Sequence, residues 1–245
     1  MPRRQRQSCQ SFRATLRRKI AMQYLLCLPK GYGRLKKRWP LVLFLHGAGE
    51  RGTDLDLVKM HGPPKLVEQG REFPFVLVAP QCPQDIWWDI PALEGLLDEI
   101  AAKYAVHPDR VYLTGLSMGG FGSWALAIDQ PERFAAVAPI CGGGNRHLAC
   151  RLAKLPIWVF HGAKDDAVPA ACSREMVAGM RKAGGKPRFT LYRDAGHDSW
   201  TATYKNPRFW QWLLKQRRTR ARAWANLTTK GRKRRARSKE NEERN

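Results

Sequence analysis

The run from Val111 to Ile128 constrains the fold more than any other part of the chain. Val111-Tyr-Leu is a buried strand that leads into Gly115-Leu-Ser117-Met-Gly119. Phe121-Gly-Ser-Trp-Ala-Leu-Ala-Ile128 follows, with the small and apolar character of a helix packed on a sheet. A G-x-S-x-G turn between strand and helix holds its Ser in sharply bent backbone, and side chains at the flanking glycines would strike neighbouring elements. The turn lifts the Ser117 hydroxyl off the sheet and sets it at a helix N-terminus, where N–H groups and the helix dipole favour a developing oxyanion.

The surrounding pattern is that of one large α/β domain. Leu41–Leu45 and Phe75–Ala79 are continuous apolar runs of the kind that parallel strands buried on both faces show. Phe134–Ile140, Ile157–Phe160 and Phe189–Tyr192 read as further strands. Helical spacing appears over Leu93–Tyr104, Arg174–Ala183 and Pro207–Lys215. Strands that alternate with helices across short connections predict a doubly wound, mostly parallel sheet. At the N-terminus, the alternation Ile20, Met22, Tyr24, Leu26, Leu28 predicts a strand, with a second around Phe12–Leu16 completing an antiparallel hairpin. The predicted domain is 11–216. Between Ile140 and Ile157 there is little room for a cap, so the site should be open.

Charge separates this body from the two ends. Residues 1–38 hold 12 Lys/Arg and no acid, 39–216 hold 20 against 18 Asp/Glu, and 217–245 hold 12 against 3. The formal charge of +23 therefore describes the ends, not the core. We expect 217–245 to be a basic, disordered tail; nucleic-acid binding through it is the reading from a different functional class, and a solvated tail is preferred because Trp224 is its lone aromatic. Six scattered cysteines without a C-x-x-C pair read as free thiols, and no apolar run reaches the ~20 residues a membrane span needs, which makes cytoplasmic the expected location. No nucleotide or metal motif is present, so no cofactor and no metal are expected. The oligomeric state is left open.

A serine hydroxyl needs an imidazole to take its proton and an acid to hold that imidazole. In this kind of sheet both arrive after the nucleophile, at the ends of later strands. His197, in Asp194-Ala-Gly-His-Asp-Ser-Trp200, is the histidine among six that fits this order. His46 and His161 each precede a Gly at a strand end, where an imidazole more often braces a loop. The acid is Asp165 or Asp166, just past the Ile157–Phe160 strand. Oxyanion donors are expected from the N–H of Met118 and from the loop His46-Gly-Ala-Gly-Glu-Arg-Gly52, with Ala48 as its donor. Trp88 and Trp200, and beside them Trp87, are candidates to line a substrate pocket, weighed against packing beneath a loop.

Taken together, these motifs resemble the α/β-hydrolase superfamily, and within it the phospholipase/carboxylesterase and predicted-peptidase branch related to the dienelactone hydrolases. The resemblance covers about Tyr24 to Leu214. It rests on Leu45-His-Gly-Ala-Gly-Glu-Arg-Gly52, Ala79-Pro-Gln-Cys-Pro83, Gly115–Gly120, His161-Gly-Ala-Lys-Asp165 with Val168-Pro169, and Gly196-His-Asp-Ser-Trp200. It implies Asp165 as the acid, Ser117 as nucleophile, His197 as base, and Ala48 and Met118 as oxyanion donors. It also implies hydrolysis of small-molecule carboxylic esters through an acyl-enzyme, with a serine peptidase of the same fold as the alternative. Dienelactone hydrolases proper carry Cys at the elbow, whereas this chain has Ser117.

Overall fold

The computed structural model describes residues 8–15 and 17–218. Seven strands form one sheet: β1 (Tyr24–Cys27), β2 (Trp39–Leu45), β3 (Val76–Pro80), β4 (Val106–Leu116), β5 (Ala136–Ile140), β6 (Trp158–Gly162) and β7 (Arg188–Tyr192). They lie in the order β1-β3-β2-β4-β5-β6-β7. Every pairing is parallel except β1 with β3, where Tyr24 faces Pro80 and Cys27 faces Leu77. The antiparallel pairing expected near the N-terminus is therefore at the sheet edge. Its second member comes from far along the chain, because the described residues before Tyr24 form no strand.

The alternation of side chains across the strands divides the core into two layers. Leu41, Leu43, Leu45, Val76, Val78, Val111 and Leu113 face one side, where α2 (Ile90–Lys103), α3 (Met118–Asp129) and α4 (Ala171–Lys182) cover them. Val42, Phe44, Leu77, Ala79 and Tyr112 face the other, under α1 (Gly62–Glu68), α5 (Trp200–Lys205) and α6 (Pro207–Lys215). β2 is buried along its whole length, which is why it reads as an unbroken apolar run. Each fully buried Leu or Phe contributes ~1.5–3 kcal/mol relative to exposure.

Helix ends follow local chemistry. Asp89 accepts from the Ala92 N–H at the start of α2, and Pro91 sits in its first turn. Asn206 caps α6 in the same manner through the Arg208 N–H. Residues 141–157 pass from β5 to β6 through a short 3₁₀ stretch, Arg146–Leu152, packed on α4. No helix among the described residues is long and apolar enough to cross a membrane. The predicted basic tail lies outside the described residues, apart from Arg217 and Arg218.

Candidate active site

β4 ends at Leu116 and α3 begins at Met118, so Ser117 alone makes the turn between them. Its backbone sits at φ 51°, ψ −118°. A non-glycine residue there carries ~1–3 kcal/mol of strain, which persists because the neighbours dictate it. A Cβ on Gly115 would run into the Gly119 carbonyl, and one on Gly119 into the Leu45 carbonyl. The two glycines let three backbone segments touch. That contact, with the Ser117 N–H bonded to the Ile140 carbonyl at 3.0 Å, leaves the serine no relaxed alternative.

The loops after β6 and β7 close on each other by the same device. A Cβ on Gly162 would run into the Gly196 carbonyl, so only glycine allows this approach. The Ala163 N–H donates to the Tyr192 carbonyl at 2.8 Å, and the Lys164 N–H to the Ala195 carbonyl at 3.0 Å. Asp165 and His197 are thereby carried on two loops that are tied together.

Ser117, His197 and Asp165 meet. The His197 Nδ1 lies 2.9 and 2.8 Å from the two Asp165 carboxylate oxygens, and its Nε2 lies 3.0 Å from the Ser117 Oγ. Nδ1 faces an acceptor-only group and so carries the proton, leaving Nε2 bare to accept from the serine hydroxyl. Asp165 Oδ1 also accepts from the N–H groups of Ala167 (3.1 Å) and Val168 (2.8 Å), and the carboxylate is fully buried. Asp166 takes no part in these contacts. The His197 ring keeps a quarter of its side chain exposed and rests edge-on against Trp200 at 5.2 Å.

The loop 46–52 lies against the serine. A Cβ on Gly47 would stand 3.7 Å from that of Ser117. Ala48 opens a 3₁₀ turn (Ala48–Glu50) and Met118 opens α3, so neither N–H has a carbonyl partner within its own element. The Gly47 N–H is engaged by Glu50 Oε2 at 2.7 Å. His46 anchors the loop: its Nε2 accepts from the Cys82 N–H at 2.9 Å, so its Nδ1 carries the proton and donates to the Gly47 carbonyl at 2.6 Å. Burial holds its pKa down at about 4, against an ordinary 6.5. Burial also raises the Glu50 carboxyl above its ordinary range.

The tryptophans divide. Trp200 touches the His197 ring and also approaches His61 at 5.4 Å. Trp88 is turned inward and only 4% exposed; it packs on His46 at 4.8 Å and fills the notch that Gly122 leaves on α3. It packs beneath the loop that begins at His46. Trp87 is 55% exposed and meets Phe121, in the first turn of α3, edge-to-face at 6.0 Å.

Two residues at the site were not among those singled out for it. Cys141 follows β5 at φ 41°, buried, and its Sγ receives the Ser117 N–H at 3.3 Å. Burial pushes this thiol up to about 12. Together with Asp165 and His197 it forms the one group among the described residues whose donor atoms, all within 4.8 Å, could gather round a metal ion. Two of those donors are already hydrogen-bonded to each other. The second residue is His161, behind Asp165, with its Nε2 at 3.2 Å from Oδ2.

Residues 81–229 match the model of the dienelactone hydrolase family, and this span holds Ser117, Asp165 and His197. The chain belongs to that family. Members and neighbours of several kinds are similar to it. A thermostable esterase of known structure is 35% identical, with a TM-score of 0.71 over 80% of this chain and 60% of that one. A probable feruloyl esterase C of Aspergillus terreus (strain NIH 2624 / FGSC A1156) is 26% identical over 166 residues, 63% of this chain and 58% of its own. Poly(3-hydroxyalkanoate) depolymerase C of Paucimonas lemoignei is 29% identical over 102 residues, 41% of this chain and 24% of its own. The chain thus spans less than two thirds of each of these proteins. The crystal structure of a "Putative Dienelactone Hydrolase" from Klebsiella pneumoniae subsp. pneumoniae MGH 78578, 19% identical with a TM-score of 0.59 over 80% of this chain and 92% of that one, shares the fold.

Proposed function

We propose that this member of the dienelactone hydrolase family is a serine carboxylesterase acting on small esters. The observation that carries the reading is the unbroken line Asp165–His197–Ser117, with contacts of 2.8 and 3.0 Å. Ser117 attacks the ester carbonyl as His197 Nε2 takes its proton; the tetrahedral oxyanion settles between the N–H groups of Ala48 and Met118. His197 passes the proton to the departing alcohol, and Asp165 balances the imidazolium. Water, deprotonated by the same imidazole, then releases the acid and restores the serine.

The partly exposed His197 and the short 141–157 connection support an open site that takes soluble esters. The names of the related esterase and depolymerase proteins agree with ester cleavage. Exposed Trp87, resting on half-buried Phe121, supplies an apolar surface beside the oxyanion loop, because Arg51 bonds both the Ala48 carbonyl (3.0 Å) and the Ile86 carbonyl (3.4 Å). The test is turnover of p-nitrophenyl acetate and butyrate beside an aminoacyl anilide, with Ser117→Ala as control. Ester turnover that vanishes in Ser117→Ala is expected; anilide turnover without ester turnover would replace the proposal with a peptidase. A cytoplasmic setting belongs to the same proposal, and recovery of the protein in a membrane or secreted fraction would overturn that part.

A further inference from the structure

We propose that His161 is a positioning residue for the reaction, backing Asp165 with its Nε2–H edge, which is anchored on the Val168 carbonyl, while His197 holds the acid from the front. The inference rests on the triad reading given under Proposed function. Asp165 Oδ2 stands between two imidazoles, 2.8 Å from His197 Nδ1 and 3.2 Å from His161 Nε2. Both side chains behind the triad are shut away from solvent: His161 and Asp165 are each 0% exposed. A buried carboxylate is costly unless polar hydrogen stands near it, and the His161 Nε2 edge supplies that beside Oδ2.

Counting protons assigns the tautomer. His161 Nε2 faces two oxygens that can only accept, Asp165 Oδ2 and the Val168 carbonyl at 2.8 Å, so it must carry a hydrogen. That hydrogen is donated to the Val168 carbonyl and stands beside Asp165 Oδ2, on the turn Asp165–Val168 whose own N–H groups return to Oδ1. The other nitrogen, Nδ1, lies 2.7 Å from the Ser173 Oγ, which also lies 2.9 Å from the Gly142 carbonyl. In the neutral ring Nδ1 can only accept, so the Ser173 hydroxyl, which donates to the Gly142 carbonyl, is shared with Nδ1. Burial lowers the His161 pKa from its ordinary value, which keeps this neutral, Nε2-protonated form at neutral pH. The charged or titratable groups acting on the ring are Asp165 and His197, the two it is placed to influence. The chain of contacts runs from α4 through Ser173, His161 and Asp165 to His197. A structural histidine at a strand end would need no such aim.

The two amides that imitate one imidazole nitrogen each make the test. His161→Gln keeps a donor where Nε2 stands; His161→Asn keeps a group near Nδ1 and abandons Asp165. For p-nitrophenyl acetate, His161→Asn is expected to lower kcat by about 10–100-fold with KM within about 3-fold, since the loss falls on orientation of the base. Removing the donor concentrates charge on Asp165, which then holds the His197 imidazolium more firmly. The acid limb of kcat/KM should therefore move to higher pH in His161→Asn and stay in place in His161→Gln. Equal losses in both variants with an unmoved limb, tracking thermal stability alone, would overturn the proposal. If His161→Asn does not fold, His161→Gln decides: folded protein with kcat within about 3-fold of wild type supports the assignment, and a folded protein more than 10-fold slower contradicts it. Ser117→Ala run alongside separates this outcome from failure of the triad itself, because hydrolysis that survives Ser117→Ala would refute the triad whatever His161 does.

Discussion

Strain at Ser117 predicts an inversion of an ordinary stability rule. At φ 51°, ψ −118° the residue occupies backbone space that glycine reaches freely and other residues reach at a cost of ~1–3 kcal/mol. Substituting Ser117→Ala and Ser117→Gly removes the hydroxyl, and its 3.0 Å contact with His197, from both variants, so that contribution cancels between them. Alanine keeps the strain, while glycine relieves it. Glycine ordinarily costs ~0.5–1 kcal/mol relative to alanine through its greater freedom when unfolded. The difference leaves Ser117→Gly more stable than Ser117→Ala by up to about 2.5 kcal/mol, with about 1 kcal/mol at the middle of both ranges, or roughly 2–4 °C in Tm for a chain of this size. Urea unfolding followed by tryptophan fluorescence, with thermal melts beside it, measures the gap. Both variants should be inactive. If Ala equals or exceeds Gly in stability, the elbow is not strained and the argument that its neighbours force the serine upward fails.

Other outcomes follow from the same contacts. Ser117→Ala and His197→Ala should each lower ester turnover by roughly 10⁴–10⁶, and Asp165→Asn by about 10⁴, because the amide favours the wrong imidazole tautomer; steady-state kinetics checks all three. His46, with a folded pKa of about 4 against 6.5, stabilises the fold fully above pH 6.5. That contribution is lost as pH falls towards 4, about 3 kcal/mol in all, so the unfolding free energy of wild type should fall about 1.4 kcal/mol more per pH unit in this window than that of His46→Asn. Trp87→Ala should raise KM several-fold for aryl esters while leaving KM for an acetyl ester and Tm unchanged, since the side chain is 55% exposed; parallel kinetics on the two esters decides it.

The residues that meet at the candidate site were legible because the proposed reaction demands their types and order. Ser117, Asp165 and His197 each stand just past a strand end, and apolar runs mark those ends without help from the rest of the chain. Pairing was harder to read. Alternation near Tyr24 signals a strand but does not say that its partner is Val76–Pro80, and the expected strand around Phe12–Leu16 is absent among the described residues there. Helix α1 escaped because Pro63 and Pro64 look like breakers, although proline in a first turn loses nothing. β4 begins at Val106, earlier than the apolar run Val111–Leu113 suggested, because polar residues at 107–110 continue the strand towards the sheet's end. Trp88 shows the limit of loop aromatics: whether one lines a pocket or props a loop depends on a notch at Gly122 that only packing reveals. His161 was readable as a brace, but the group beside it is set by the turn after β6, which brings Asp165 back against the ring.

The central claim is that one hydroxyl in this chain is activated. Reaction with a fluorophosphonate probe, followed by peptide mass spectrometry, measures that directly. A single adduct on Ser117 is expected, absent from Ser117→Ala and formed far more slowly in His197→Ala. Labelling at another residue, or labelling of Ser117→Ala at the wild-type rate, would contradict it.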